Sequence, residues 1–419
     1  MKMKLISLLL ALVLVLALTA CGGTGTSTTA DNQPAASGGT VQGVTATEIK
    51  VANSATTSGK YAGVGLPFVN AIQAYFNMVN EAGGIDGRKI TFINRDDEFD
   101  PVKGKAYLQE FVEDERVFCI LGHFGTPVVS ATIDDLKSYG IPSLYFATGI
   151  GQLFSDNATD NASGYNIFPI QPLYITEGQV MVARGVGNFG ATRIGMIYTS
   201  DDAGNNMYEG ASKKAAELDI ELVAEQVAAG SADVSAAVTT IKNAGVDFVI
   251  VGAIQATMPT IVKEMAAQGM TVPAITTYVC AAVSITDQIG DDIAGKFDVY
   301  ASSWKIRDDE HQKDLDEFLQ WMPEEYKSNT DAESGWVAAS IFCQALRRLE
   351  GKEVTWESFM AALEDGEYDV PFGGSISFAD GKRTGVQSML LSRCDPNNPN
   401  GWTVVYGFAD MADIVAGKG

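Results

Sequence analysis

Short unbroken apolar runs alternate along this chain with longer stretches whose apolar residues recur at helical spacing. IKVANS (49–54), KITFINR (89–95) and VFCILG (117–122) read as strands, the last so uniformly apolar that both its faces must be buried. Between the first two, Phe68, Ile72, Phe76 and Val79 mark the buried stripe of a helix over 67–81, and another helix is expected over about 105–114. Asp100 before Pro101 is an N-cap followed by proline at N1, and Asp96-Asp97 terminate a strand, so local structure accounts for these acids. A helix over about 128–139 then leads to IPSLYFATG (141–149). Repeated strand-loop-helix units of this kind are the pattern of a doubly wound α/β sheet.

The polar segment 152–165 is followed by NIFPIQPLY (166–174), which Pro169 and Pro172 keep extended. RIGMIYTS (193–200), IELVAEQV (220–227), VDFVIVGA (246–253) and VPAITTYV (272–279) then alternate with helical stretches in the same grammar, starting with a helix over about 176–189. FDVYASSW (297–304) returns to the first lobe, where helices over about 308–326, 332–349 and 356–363 follow; FGGSISFADGKRTGVQSMLLSRC (372–394) and GWTVVYGF (401–408) close the chain as strands. The expectation is lobe I from 48–170 with 300–370 and lobe II from 171–299 with 371–410, joined by three strand-like crossings that form a hinge.

Ligands of an open α/β sheet bind just beyond the carboxyl ends of its strands. GHFGT (122–126) and ATG (147–149) are two small, hydroxyl-bearing loops that should lie side by side at one such edge. Gly125-Thr126 leads into a helix, whose free N–H groups and dipole favour an anion. These residues point to a carboxylate-binding cleft, the plainer alternative being ordinary strand-to-helix turns. His123, on the same loop, is a candidate to line that cleft.

The N-terminus changes the picture. Lys2 and Lys4 precede a run from Leu5 to Leu18 that is apolar except for Ser7, and Leu18-Thr19-Ala20-Cys21 closes it. Residues 1–20 read as a signal peptide, the run being short for a membrane span. Cys21 stands where a bacterial lipobox places its lipidated cysteine, and a Gly/Ser/Thr/Ala-rich tether extends over 21–47. An exported protein, lipid-anchored on the extracytoplasmic face, is expected. Without Lys2 and Lys4 the chain carries 27 basic against 52 acidic residues and no basic patch, which argues against a nucleic-acid partner. Cys119, Cys280, Cys343 and Cys394 form no C-x-x-C pair, so no metal site and no cofactor is expected. With two histidines and no G-x-S-x-G, an enzyme has little to stand on.

NEAGGIDGRKI followed by RDDEFDPVKG, then an apolar strand into G-H-x-x-T, resembles the solute-binding proteins of branched-chain amino acid ABC importers, from Ile49 to about Asp410. The resemblance implies a type I periplasmic-binding-protein fold, two α/β lobes closing on a small ligand that a membrane ABC permease then receives. Carried residue by residue, it implies ligand contacts from Tyr61, Thr126, Ala147, Thr148 and Gly149, with the last four holding a carboxylate, and Gln255 at a strand end of lobe II. Where amino-acid-binding members place acids for the ammonium, this chain has Tyr174 and Tyr278, and Ala203 stands in place of an aromatic. A small hydrophobic amino acid and an aromatic or keto acid without an amine both remain open, with Asp201, Asp202 and Glu177 near enough to alter the alignment. A ligand-sensing subunit of a membrane receptor uses the same fold.

Overall fold

The protein is described here by a computed structural model covering residues 41–418; residues 1–20, Cys21 and the rest of the tether up to residue 40 lie outside the described residues. The first sheet is built from β1 (Glu48–Ala55), β2 (Lys89–Asp96), β3 (Cys119–Phe124), β4 (Ser143–Ala147) and β5 (Ile167–Phe168). Its order is β2-β1-β3-β4-β5 and every pairing is parallel, as strand-helix-strand crossovers require. The intervening helices are α1 (Ala62–Glu81), α2 (Pro101–Gln109) and α3 (Thr126–Tyr139). Asp100 caps α2 by accepting from Val102 N and Lys103 N, and Gly140 ends α3 in the left-handed conformation.

The second sheet follows through α4 (Tyr174–Phe189), β6 (Arg193–Thr199), α5 (Asp202–Glu217), β7 (Glu221–Val227), α6 (Ser235–Asn243), β8 (Phe248–Gly252), α7 (Met258–Ala267), β9 (Ala274–Thr276), α8 (Val283–Ile293) and β10 (Val299–Ser303). The chain then adds α9 (Gln312–Trp321), α10 (Thr330–Arg347), α11 (Trp356–Glu364), the hairpin β11 (Glu367–Asp369) and β12 (Ser375–Ser377), β13 (Ser388–Cys394), β14 (Trp402–Asp410) and α12 (Met411–Val415). The second sheet runs β14-β13-β10-β9-β8-β6-β7, with parallel pairings except that β13 pairs antiparallel with both β10 and β14. Among the described residues no helix is long and apolar enough to cross a membrane.

The three crossings brace one another. Val386 N donates to Ile170 O at 2.8 Å, joining the first crossing (166–174) to the third (near residue 386), and Ile306 N donates to Phe372 O at 2.6 Å beside the second (297–304).

Several boundaries differ from the sequence reading. Residues 41–47, expected in the tether, are docked: Gln42 Nε2 donates to Val112 O and Val117 O at 3.1 Å, and Val44 bridges Ile49. Residues 300–303 belong to β10 in the second sheet, because this segment pairs with both β9 and β13. Residues 371–385 turn back to the first lobe. There the fully buried Arg383 pairs with Glu364 at 2.7 Å and lies over the Phe168 ring, and its backbone bridges Ser155. α1 begins at Ala62 rather than 67, carrying Pro67 inside its early turns, and α9 stops at Trp321 before Pro323. Among the described residues Cys119, Cys280, Cys343 and Cys394 are free and buried.

Candidate functional site

The carboxyl ends of β1, β3 and β4 in one lobe face those of β8 and β9 in the other, and the first crossing closes the side. Between them lies a narrow cavity of about 40 Å³, walled by Tyr61, Phe99, Phe124, Thr126, Ala147, Gln171, Tyr174, Ile254, Gln255, Val279, Asp331 and Ser334 among others. Tyr61, Thr126, Ala147, Tyr174 and Gln255 from the sequence reading thus share one wall-to-wall space. Tyr278 lines an adjoining cavity of about 50 Å³ that shares Gln171, Val279, Asp331 and Ser334 with the first. Thr148 stands behind the wall with its hydroxyl 2.9 Å from that of Thr126.

Gly149 is a close-approach position. A β-carbon there would meet Pro172 O at 2.3 Å and the Tyr278 hydroxyl at 2.9 Å, so only glycine lets the first crossing lie against the β4 edge. Gly125, at φ 90°, plays a similar part under the Phe99 ring, which a β-carbon would strike at 2.6 Å.

Each wall is held from behind. Asp97, far from merely ending a strand, is fully buried and accepts from Ser54 Oγ, from Thr56 Oγ1 at 2.9 Å and from Phe99 N at 2.9 Å. Burial pushes its carboxyl above the usual aspartate range, against those hydrogen bonds. The turn so fixed gives Phe99 a φ of 65° and stacks its ring on Tyr61 with centroids 4.0 Å apart. On the crossing side, Gln171 donates to the Tyr145 hydroxyl at 2.8 Å and accepts from that of Tyr278 at 3.2 Å, while Tyr278 also reaches Pro172 O at 3.0 Å. Tyr174 and Tyr278 are stacked at 5.9 Å. The Tyr174 phenol is buried and lines the same cavity wall as Thr126 and Ala147. Two hydroxyls, those of Thr126 and Thr148, therefore meet where α3 begins.

The acids are placed differently from one another. Glu177 turns away from the cavity: it accepts from Thr277 Oγ1 and from Tyr278 N, both at 2.7 Å, and so fastens the loop after β9 to α4. Burial pushes its carboxyl up to about 8. Asp201 caps α5 through Gly204 N at 2.9 Å. Asp331, which the sequence reading did not single out, is the one charged residue in the wall of the first cavity. His123 does not reach the cavity; β3 continues through it to Phe124, its Nε2 lies 2.9 Å from Thr132 Oγ1, and burial pushes it down to about 4. Ala203 is fully buried in α5.

Residues 48–399 match the family model described as "Periplasmic binding protein". A Leu/Ile/Val-binding protein homolog from Brucella abortus is 27% identical over 230 residues, 54% of this chain and 60% of that protein. The chain thus matches that curated relative over less than two thirds of its length. Among solved structures, a branched-chain amino acid ABC transporter protein from Thermus thermophilus with bound valine is 18% identical with a TM-score of 0.76, over 88% of this chain and 98% of that one. A solute-binding protein from R. palustris in complex with benzoate is also 18% identical, with a TM-score of 0.72 over 87% and 96%.

Proposed function

This chain belongs to the periplasmic binding protein family, and on that footing we propose that it is the extracytoplasmic substrate-binding lipoprotein of an ABC importer. It captures a small hydrophobic amino acid or related carboxylate between its lobes and delivers it to a membrane permease. Cys21 is the lipidated anchor. The work is binding and release by lobe closure, not catalysis.

The observation that carries this reading is the pair of buried hydroxyls, Thr126 and Thr148, 2.9 Å apart at the first turn of α3. Helix N–H groups and hydroxyl donors there suit a carboxylate, and charge-assisted hydrogen bonds in a closed cleft are strong because water is kept out. Tyr61 and Phe99 offer the ligand body aromatic surface, and Ile254 and Val279 meet it from the other lobe. The relative from Brucella abortus and the Thermus thermophilus protein bear names that agree with a branched-chain amino acid.

A second reading, an aromatic or keto acid without an amine, is favoured by one feature. Tyr174 and Tyr278, stacked at 5.9 Å, stand where the family resemblance implies acids for the ammonium. The R. palustris protein, whose structure holds benzoate, supports this reading.

A thermal-shift panel of leucine, valine, phenylalanine, their keto acids and benzoates tests both, since a ligand of the folded state raises the melting temperature. A shift with any small carboxylate supports the proposal. No shift across the panel, with turnover of a bound compound, would overturn it.

A further inference from the structure

One cleft residue stands without a partner. Asp331 follows Thr330 in the first turn of α10, where Asn329 already caps Asp331 N at 2.8 Å and Ala332 N at 3.0 Å. An acid in a first turn is favoured by the helix dipole, which accounts for its tolerance there. It does not account for where the carboxylate ends up, in the wall shared by both cleft cavities. Among the described residues nothing donates a hydrogen bond to it, and no lysine, arginine or histidine lies within 4.0 Å.

The neighbouring charges are engaged elsewhere. Arg307 Nε donates to Glu333 Oε1 at 2.5 Å, and Lys305 Nζ lies 3.5 Å from Glu333 Oε2 and bonds Ser334 Oγ at 2.7 Å and Thr330 O. Lys305 acts on Asp331 only from a distance. The groups packed around Asp331 push its carboxyl up to about 7, against the pull of Lys305. A partly buried carboxylate with no donor, facing a narrow cavity, gains when a cation meets it.

We propose that Asp331 is the specificity-determining counter-charge for a cationic amine on the ligand, supplied from α10 and not from the second lobe. The cleft then reads as a zwitterion site, with hydroxyls and a helix N-terminus at the Thr126 end and a bare carboxylate at the Asp331 end. Tyr174 and Tyr278 are free to pack against the ligand body because the amine is met elsewhere. Ser334, lining the same wall, offers the amine a hydroxyl acceptor.

This inference rests on the binding function proposed above and is tested apart from it. Calorimetry on the purified full-length chain would compare valine with 3-methylbutanoate and phenylalanine with 3-phenylpropanoate, pairs differing only by the amine. The wild type is expected to prefer the amine-bearing member of a pair. Asp331→Asn is expected to lower that member's affinity about 30-fold or more while changing the other's by less than about threefold. Equal losses for both members would make Asp331 a structural counter-ion of Lys305 and overturn the inference. Wild-type binding of only the amine-free members would also overturn it, while leaving the carboxylate-binding function standing. Binding of neither class would overturn both.

Discussion

Glu177→Gln isolates the most deeply buried acid of the hinge region. Glu177 has no exposed surface, and both its oxygens are taken, by Thr277 Oγ1 and Tyr278 N at 2.7 Å each. Glutamine keeps both contacts, its carbonyl facing Tyr278 N and its amide facing Thr277 Oγ1, which can accept. Burial raises the carboxyl from 4.5 to about 8 in the folded protein. The folded state therefore holds a proton that the unfolded chain releases above about 4.5, so the contribution of this group to stability is fully present below that pH and is lost as the pH climbs toward about 8. At ~1.4 kcal/mol per unit the shift corresponds to a ceiling of ~5 kcal/mol. Urea unfolding of residues 41–419 at pH 5 and pH 8 reads it directly. The wild type is expected to lose stability relative to Glu177→Gln between the two, by a few kcal/mol, with the variants close at pH 5. Parallel behaviour of the two proteins across that window would refute the reasoning.

Phe99→Ala removes the ring stacked 4.0 Å from Tyr61; a loss of about 1 kcal/mol in urea unfolding is expected from the pair itself, with a larger loss in ligand affinity by calorimetry because one cavity wall is gone. Unchanged affinity would remove Phe99 from the site. Tyr278→Phe deletes the hydroxyl that reaches Gln171 and Pro172 O, and should cost about 1 kcal/mol in the same unfolding assay. No loss would mean that this hydroxyl does not tie the loop after β9 to the first crossing.

Most of the sheet architecture is legible in the chain because buried parallel strands are continuous apolar runs. VFCILG announces β3 without help from its neighbours, and the glycines and hydroxyls after β3 and β4 announce the cleft edge. What stays hidden is hidden for stated reasons. Asp331 reads as an ordinary first-turn acid, since its spacing carries no trace of the cavity that α10 is folded against. Phe99 lies in an acidic turn, and only the hydrogen bonds from Ser54, Thr56 and its own N–H to Asp97 show that the turn serves to aim an aromatic ring. The apolar run ends at Gly122 and so puts His123 on the following loop, but β3 bends at Gly122, where φ is 75°, and continues two residues further to Phe124. The docking of residues 41–47 has no apolar period to reveal it, resting on the Gln42 side chain, the Val44–Ile49 bridge and backbone carbonyls that accept from Lys50 N, Lys89 N and Arg88 Nε.

On the binding function proposed above, a carboxylate is held where α3 begins. It is tested most directly by calorimetry of the double variant Thr126→Val/Thr148→Val against the best ligand of the panel and against its primary amide. Valine keeps the shape of both buried side chains and deletes only the hydroxyls. A loss of about tenfold or more is expected for the carboxylate and a much smaller one for the amide. Equal affinity of the double variant and the wild type for the carboxylate would contradict it.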